Sequence, residues 1–428
     1  MSLNFKKVNI INFPIAMVSL LAFSIVTIIP NYFFYFFMLS TILMMIAFLT
    51  NWHQIDKKLF NYFGLFLLPS LIGCFSYPIS MILEGEVFDY SQLNILGRLS
   101  NLFLLFVLIL FLHTYIKDKN ISLPFRWYWI GVGLLMITAI WQFTDVFLHL
   151  TNFPFETRSN LHSTYGVEYS FAKRLTGIAS EPSYFVMLAI DFIILSFLFT
   201  RGLKKKILIA IGLLLVFLSL SPSGYLTLFF TLIGAYIFTK LKHLTFKFKW
   251  HSVFIFIMIS PIVIMFLFYF LNSAYFDYFY NRIADPRMLD SPRAYMSYMP
   301  FCWAWESNPV SFLFGHGIKS YSIIGTAFYL PDGSPVHVTS NNLFVDTFWE
   351  AGLLGIIVLL VFFIYVISRA FKIKYSKVQS FSTFFVLFNL VFSSIFRADF
   401  ASFRFFILLY LVFILIHYDL RSIKGFHV

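Results

Sequence analysis

Apolar runs of about twenty residues recur from one end of this 428-residue chain to the other. Each run is long enough to cross a hydrocarbon layer of roughly 30 Å as an α-helix. Only 12% of the residues are charged, about half the fraction that is typical of soluble domains. The sequence therefore predicts an all-α fold, a polytopic membrane bundle in which residues 1–428 form a single integral membrane domain.

Charged segments and breaker residues divide the apolar runs into twelve predicted spans. The clearest breaker is Ser221-Pro222-Ser223-Gly224, which separates the seventh span from the eighth. Lys6 and Lys7 precede the first run without a small-residue cleavage site, so we interpret that run as a spanning helix and not as a removed signal. The predicted spans are 9–29, 32–49, 59–82, 93–116, 127–149, 181–200, 206–221, 223–239, 253–271, 340–368, 380–396 and 400–417.

Positive charge orients these spans independently of hydropathy. With the N-terminus on the cytoplasmic side, the predicted cytoplasmic segments contain 21 of the 31 lysines and arginines. Cytoplasmic loops of membrane proteins carry such an excess. We therefore expect an even number of spans and two cytoplasmic termini. The formal net charge of +12 reflects this bias, so it does not indicate a nucleic-acid partner.

Two long segments fall on the predicted outer face, at 150–180 and at 272–338. They hold most of the remaining cations, among them Arg174, Arg282 and Arg287. Long loops follow the charge bias only weakly, so these cations are either tolerated charge or part of an anion-binding site. The intramembrane charges near the same face favour the anion-binding site.

Several ionisable residues lie inside or at the ends of predicted spans, where an unpaired charge costs several kcal/mol. Arg98 and Arg404 each lie about 7 Å below the outer side, at 1.5 Å per residue. Arg397 and Asp399 stand just above Arg404, and Asp191 falls near mid-membrane. The concentration of these charges in the outer half predicts a functional site at that end of the bundle.

The tenth span carries a polar stripe. Asn342, Asp346 and Glu350 follow one another at intervals of four residues, which places all three on the same side of a helix. Such a stripe is too costly to face lipid, so it is predicted to face the interior of the bundle. The stripe either binds substrate or forms structural ion pairs with Arg98 or Arg404.

The segment before the sixth span combines a cation with helix-capping residues. Ser180 is a candidate N-cap and Pro182 suits the first helical turn, which places Glu181 at the positive end of the helix dipole. Glu181 either compensates that dipole, orients an arginine or acts on a substrate hydroxyl. Arg174 and the helix end are expected to bind a diphosphate, because a guanidinium can hold two phosphate oxygens at once.

The loop at 272–338 adds further candidates. An amphipathic stretch from Met296 to Trp305 is predicted to lie on the membrane surface, and Gly315-His316-Gly317 is predicted to form a turn. His316 and His337 are candidate catalytic residues by position, although a lone loop histidine is more often an ordinary polar residue. No group of His, Cys and carboxylate residues has metal-ligand spacing, so we expect no metal.

Four motifs stand in a fixed order along the chain: Arg174-x-x-Gly177-x-x-x-Glu181-Pro182, Pro292-Arg293, Gly315-His316-Gly317 and Asn341-Asn342-x9-Gly352-x2-Gly355. Together they resemble the Wzy-type O-antigen polymerases, which are relatives of the O-antigen ligases. The resemblance covers most of the chain in topology, and the region from the sixth to the tenth span in motif. The related ligases often have a histidine where this chain has Asn341, which weakens the ligase assignment.

The resemblance implies a GT-C-like fold and a metal-independent, inverting glycosyltransferase with its active site on the periplasmic side of the bacterial inner membrane. The donor would be a growing glycan on undecaprenyl diphosphate, and the acceptor an incoming lipid-linked repeat unit. The product would be O antigen, capsule or another exopolysaccharide. No cofactor is implied, and membrane lipid and a chain-length regulator would be further partners.

The resemblance also suggests roles for individual residues. Arg174 and Arg293 would engage the diphosphate, and Glu181, His316 and His337 are the other candidate catalytic residues. The identity of a general base stays open between these last three and the acids of the polar stripe. The predicted substrate-binding residues are Arg98, Arg282, Arg287, Asn341, Asn342, Asp346, Glu350 and Arg404.

Two alternative functions stay open. An O-antigen ligase would use the same chemistry with a different acceptor. A lipid-linked oligosaccharide flippase belongs to another class, and we would expect its charged residues to follow a central cavity that reaches both faces. In this sequence the ionisable groups other than Asp191 crowd the outer half, which favours the transferase.

Overall fold

A computed structural model of the chain describes residues 56–84, 92–116, 120–155, 174–179, 181–243, 292–307, 309–322, 328–330, 333–336, 340–373, 376–423 and 425–426. These residues form helices and loops, with one isolated β-bridge between Tyr329 and Pro335. The predicted class, a helical membrane protein, is confirmed. The predicted spans at 9–29, 32–49 and 253–271 lie outside the described residues, as do 156–173 and 272–291 of the two long outer loops.

Eleven α-helices follow one another in the described ranges. Seven of them are long and apolar enough to cross a membrane. The exceptions are Gly202–Leu218 and Phe403–His417, which are apolar but have only 17 and 15 residues, and the two helices Pro292–Ser307 and Pro309–Phe314 of the outer loop. The helices are α1 (Lys57–Glu84), α2 (Gln92–Ile116), α3 (Leu123–Val146), α4 (Pro182–Phe199), α5 (Gly202–Leu218), α6 (Pro222–His243), α7 (Pro292–Ser307), α8 (Pro309–Phe314), α9 (Leu343–Phe371), α10 (Lys377–Phe396) and α11 (Phe403–His417).

Nine of these helices occupy predicted spans, with some ends displaced. The turn that was predicted at 221–224 lies instead at 219–221, and Pro222 begins α6, because the fixed φ of proline suits the first helical position. Helix α5 begins at Gly202, four residues before the predicted span. Its first turns therefore include Lys204 and Lys206, which are exposed to solvent.

Helix α11 is the centre of the bundle. Every residue from Phe403 to Leu415 is buried, as expected of a helix that is apolar on all sides. Phe406 stacks on Phe63 of α1 with ring centroids 5.5 Å apart, and Phe405 stacks on Phe66 at 5.0 Å. Around this centre α1 packs along α9, α6 along α10, and α5 along α4.

The described part of the long outer loop packs over α9. The stretch from Met296 to Trp305 is helical, as its amphipathic pattern indicated, and lies within α7. Met296 and Trp303 are buried in a small apolar cluster with Tyr321 and Trp349, the latter from α9. This cluster fixes the loop to the N-terminal half of α9.

Helix α9 is broken at Gly352, where φ is 65° and ψ is −163°. The predicted Gly315-His316-Gly317 turn lies against the break. Its His316 N–H donates to the carbonyl of Trp349 at 2.7 Å, and its Gly317 N–H donates to the carbonyl of Glu350 at 3.0 Å. A Cβ at Gly315 or Gly352 would overlap backbone atoms of the facing segment, so glycine is needed at both positions.

We predict that Gly315→Ala and Gly352→Ala each lower the free energy of unfolding by more than about 3 kcal/mol, because backbone strain and overlap act together. Gly333→Ala is the matched control, since Gly333 also has a positive φ, of 78°, but a Cβ there meets open space. The control should lose only about 1–2 kcal/mol. Denaturant unfolding in detergent micelles measures all three, and equal losses would contradict the proposed close contact.

Candidate functional site

The polar stripe of α9 faces inward, as predicted. Asp346 is 2% exposed and Glu350 is 5% exposed. Asn342 is the N-cap of α9, and its side chain accepts a hydrogen bond from the Phe344 N–H at 3.0 Å. Asp346 accepts hydrogen bonds from the Ser340 hydroxyl at 2.5 Å and from the Ser340 N–H at 3.1 Å. Asn342 and Asp346 therefore hold the chain in place where it enters α9.

Glu350 forms an ion pair with Arg98 of α2. The Glu350 Oε1 atom also accepts a hydrogen bond from the backbone N–H of Lys319 at 3.0 Å. The Arg98 guanidinium lies over the Phe400 ring, 4.6 Å from its centroid. Glu350 thus lies where the break in α9, the outer loop and α2 meet, and the structural alternative of an Arg98–Glu350 pair is confirmed.

The segment from Arg397 to Ser402 joins α10 to α11 at the end of the bundle that the charge bias predicts to be the outer one, and it is here called the outer-end loop. Arg397 donates to Glu181 Oε2 at 3.1 Å and to the Ser183 hydroxyl at 3.2 Å, and its guanidinium lies over the Tyr184 ring. On the other side, the amide of Asn101 donates to the Ala401 carbonyl at 2.8 Å. The loop therefore connects α4 with α2 across the outer end of the bundle.

Arg404, in the first turn of α11, anchors this loop through Asp399. Its guanidinium donates to both oxygens of Asp191, at 2.7 and 3.0 Å, and to Asp399 Oδ2 at 2.9 Å. Asp191 also accepts from the Tyr128 hydroxyl and the Asn389 amide, both at 2.7 Å. The side chain of Asp191 is fully buried and that of Arg404 is 6% exposed, so each charge is paired where hydration is lost. Arg404 does not pair with the α9 acids, because α4 and the outer-end loop lie nearer to it.

A cavity of about 270 Å³ opens between the first turns of α4 and the outer-end loop. Asn341 contributes to its wall from the start of α9, in the left-handed conformation that asparagine tolerates, with φ 56°. The volume is sufficient for a phosphate group or one sugar ring. Its polar lining residues are Tyr184, Asn341, Arg397, Asp399, Ser402 and Arg404.

The predicted role of Glu181 in orienting an arginine agrees with its position. Glu181 is the N-cap of α4, and Pro182 begins the helix as predicted. Its carboxylate makes no capping hydrogen bond and instead binds Arg397 and the Ser183 hydroxyl. The prediction that Ser180 is the N-cap is therefore wrong, because the helix begins one residue later at Pro182; Ser180 itself lies outside the described residues.

Arg174, in the segment before α4, packs against the C-terminal end of α5. Its guanidinium donates to the carbonyls of Ser219 at 3.3 Å and Leu220 at 2.9 Å, where the helix dipole is negative. It does not line the cavity of the outer-end loop. Its predicted contact with a diphosphate stays a prediction, and its described contacts stabilise the α5–α6 turn.

His316 packs on the ring of Trp349, with centroids 4.3 Å apart. Tyr321 stacks on the same ring at 4.7 Å. Burial lowers the pKa of His316 to about 4, so the imidazole is neutral at physiological pH. The structure gives His316 a packing contact at the break in α9 and leaves its catalytic role a prediction.

Four other predicted site residues lie beyond what the structure describes. Arg282, Arg287 and His337 fall outside the described ranges, and Arg293 lies in the first turn of α7 without a described side chain. Sequence reasoning placed Arg397, Asp399 and Asp191 among the intramembrane charges but not among the site residues. Arg397 and Asp399 stand between two predicted spans and Asp191 lies within one, and this placement was the available signal. The partners of Arg397 and Asp191 are 216 and 213 residues away in sequence.

We predict that Arg404→Met destabilises the protein by about 3–5 kcal/mol, because it leaves Asp191 as an uncompensated buried charge. The double variant Arg404→Met/Asp191→Leu should recover most of that loss, since well-packed apolar side chains can replace a buried ion pair. Denaturant unfolding of the single and double variants measures the difference. A single variant within about 1 kcal/mol of wild type, the range of exposed ion pairs, would show that Arg404 is not held as described.

Comparisons with known proteins identify no relative of this chain. No family model matches it, and neither a curated protein nor a solved structure matches it. The resemblance to the polymerases therefore depends on the motifs and topology of the sequence alone.

Proposed function

We propose that the chain is a polysaccharide polymerase that transfers a growing glycan from a polyisoprenyl diphosphate to an incoming lipid-linked repeat unit at the outer face of the membrane. The main support is that Arg397, in the outer-end loop, lies beside a cavity of about 270 Å³ whose lining includes six polar residues, at the end where the motifs predict the site. The cavity would hold one sugar ring of the donor, with Tyr184 and Asn341 in its wall.

Two arginines at the outer-end loop, Arg397 within it and Arg98 over its Phe400 ring, have donors that no described group accepts from. The described hydrogen bonds of Arg397 all use Nη1, and that of Arg98 to Glu350 also uses Nη1. Each guanidinium has five N–H donors in a fixed plane. An acid therefore orients each arginine through one nitrogen while Nε and Nη2 can bind diphosphate oxygens.

The proposed chemistry needs charge stabilisation more than proton donation. The acceptor hydroxyl oxygen attacks the anomeric carbon, the bond to the diphosphate breaks with inversion, and the lipid diphosphate leaves with the bonding electron pair. Fixed arginines stabilise the charge that develops on the diphosphate. Both described hydrogen bonds to the Glu350 carboxylate end on Oε1, so Oε2 has no described donor. Glu350 is therefore our candidate for accepting the hydroxyl proton.

The packing below the site favours a transferase over a flippase. Phe63, Phe66, Phe405 and Phe406 form stacked, buried pairs beneath the outer-end loop. At the opposite end of α2, His113 is fully buried among hydrogen-bond partners that include Tyr410. In the described part of the bundle, these buried aromatic pairs lie between the polar groups of the outer-end loop and those around His113.

The ligase alternative shares this site and differs in its acceptor. Its support is weaker, because Asn341 stands where the related ligases often have histidine. Supplying the purified protein with either a lipid-linked repeat unit or a lipid A acceptor separates the two functions. Products that lengthen by whole repeat units indicate the polymerase.

We predict that Arg397→Ala lowers the rate of glycan transfer by about a hundredfold or more, the effect of removing one preorganised donor from a developing negative charge. Arg397→Lys should recover little of this rate, because a point charge cannot replace a planar fork. Arg421→Ala is the matched control, since Arg421 is exposed at the other end of α11. The assay uses purified protein in nanodiscs with defined lipid-linked repeat units and products separated by size.

Undiminished chain lengthening by Arg397→Ala would contradict the assignment of the outer-end loop. Arg174→Ala adds a second comparison within the same assay. A loss of transfer with normal unfolding would support its predicted diphosphate contact. A loss of stability with normal transfer per folded molecule would assign Arg174 to the α5–α6 turn alone.

A further inference from the structure

A second, larger cavity follows the outside of the bundle. It is a groove of about 860 Å³ between α1 and α2, closed on one side by Tyr365 of α9, and we call it the lateral groove. From Phe60 to Leu71 it follows α1 for about 16 Å, at 1.5 Å per residue. Its described wall is apolar except for Asn61, Ser70 and the Tyr365 hydroxyl.

The lateral groove opens sideways, within segments that are long and apolar enough to cross a membrane. Its rim residues are large and apolar, and Leu71 and Phe103 are 48% and 54% exposed. Its floor is formed by residues that the core holds in place, such as Leu102, which is 2% exposed. Among the described residues, the groove therefore has a fixed floor and an apolar rim that is exposed at the surface of the bundle.

Gly64 keeps this space open. It lies in the wall of the lateral groove, and outside its own helical turn no atom of the described residues lies within 4 Å of a Cβ built at this position. Glycine is the least favourable residue after proline in the interior of a helix. A side chain at this position would therefore begin in open space at the groove.

The outer end of the lateral groove adjoins the proposed active site. Leu99 lines the groove and directly follows Arg98, whose described hydrogen bond leaves Nε and Nη2 available. On α1, a Cβ at Gly73, two residues beyond Leu71, would lie 3.1 Å from the Glu350 carbonyl oxygen. A chain lying in the groove would therefore bring its head group to the Arg98–Glu350 pair.

We infer that the lateral groove holds the polyisoprenoid chain of the donor lipid and that Arg98 contacts the diphosphate at the end of that chain. This inference depends on the proposed function, because it takes the lipid diphosphate as substrate. Inside a membrane an apolar chain gains little by leaving lipid, so the selection comes from close packing along the groove and from the charged head group. Ordinary phospholipid is the competing occupant.

The test uses a polyisoprenyl diphosphate with a diazirine in its chain, added to the full-length protein in phosphatidylethanolamine–phosphatidylglycerol nanodiscs. After photolysis, mass spectrometry locates the labelled peptides. We expect labelling at 60–71 and 99–106 that excess phosphatidylglycerol does not displace. Labelling elsewhere, or equal labelling of the groove by a diazirine phosphatidylglycerol that the diphosphate cannot displace, overturns the inference.

Gly64→Phe supplies the matched variant. It should lower groove labelling at least severalfold, because the phenyl ring would occupy space in which the chain packs. Gly97→Phe is the control, because a Cβ at Gly97 also meets open space but Gly97 does not line the groove. Equal labelling of wild type and both variants contradicts the inference.

The failure of this inference and the failure of the proposed function give different results. If the groove is labelled but the protein transfers no glycan, the lipid site is supported and the polymerase function is rejected. Normal transfer by Gly64→Phe, with the labelled peptides outside α1 and α2, rejects the lateral groove and keeps the polymerase.

Discussion

The buried contact between Arg404 and Asp191 is the interaction on which the outer end of the bundle depends. A lone charge at this depth would cost several kcal/mol, so α11 can occupy the centre only because α4 supplies Asp191 and the outer-end loop supplies Asp399. The guanidinium holds both acids with a fixed geometry. That geometry fixes the loop from Arg397 to Ser402, and with it the cavity that Arg397 lines.

The break in α9 holds the outer loop in place, as the Arg404–Asp191 contact holds the outer-end loop. At Gly352 the helix changes direction, and the carbonyls of Trp349 and Glu350 accept hydrogen bonds from the Gly315-His316-Gly317 turn. The outer loop is thereby attached directly to the helix segment that presents Glu350 to Arg98. Two glycines at positive φ make this attachment possible, since any Cβ would separate the two backbones.

Much of this fold follows from hydropathy, because a helix that crosses a membrane must be apolar over its whole length. Because an ionisable side chain facing lipid is costly, Asp346 and Glu350 were correctly predicted to face inward. That cost did not identify which arginine pairs with which acid, since Arg404 and Asp191 are 213 residues apart and their contact depends on how α11 and α4 are rotated. The break at Gly352 escaped prediction for a related reason. A single glycine inside an apolar run is compatible with a continuous helix, and only the facing turn shows that it is not one.

We propose that arginines around the outer-end loop hold a lipid diphosphate. Electron cryomicroscopy of the protein in nanodiscs with a polyisoprenyl diphosphate would locate this ligand, because the two phosphorus atoms are its strongest scatterers. We predict density for the diphosphate between Arg98 and Arg397, within hydrogen-bond distance of their guanidinium nitrogens. Diphosphate density at the opposite end of the bundle, or against side chains that make no contact with the outer-end loop, would contradict the account.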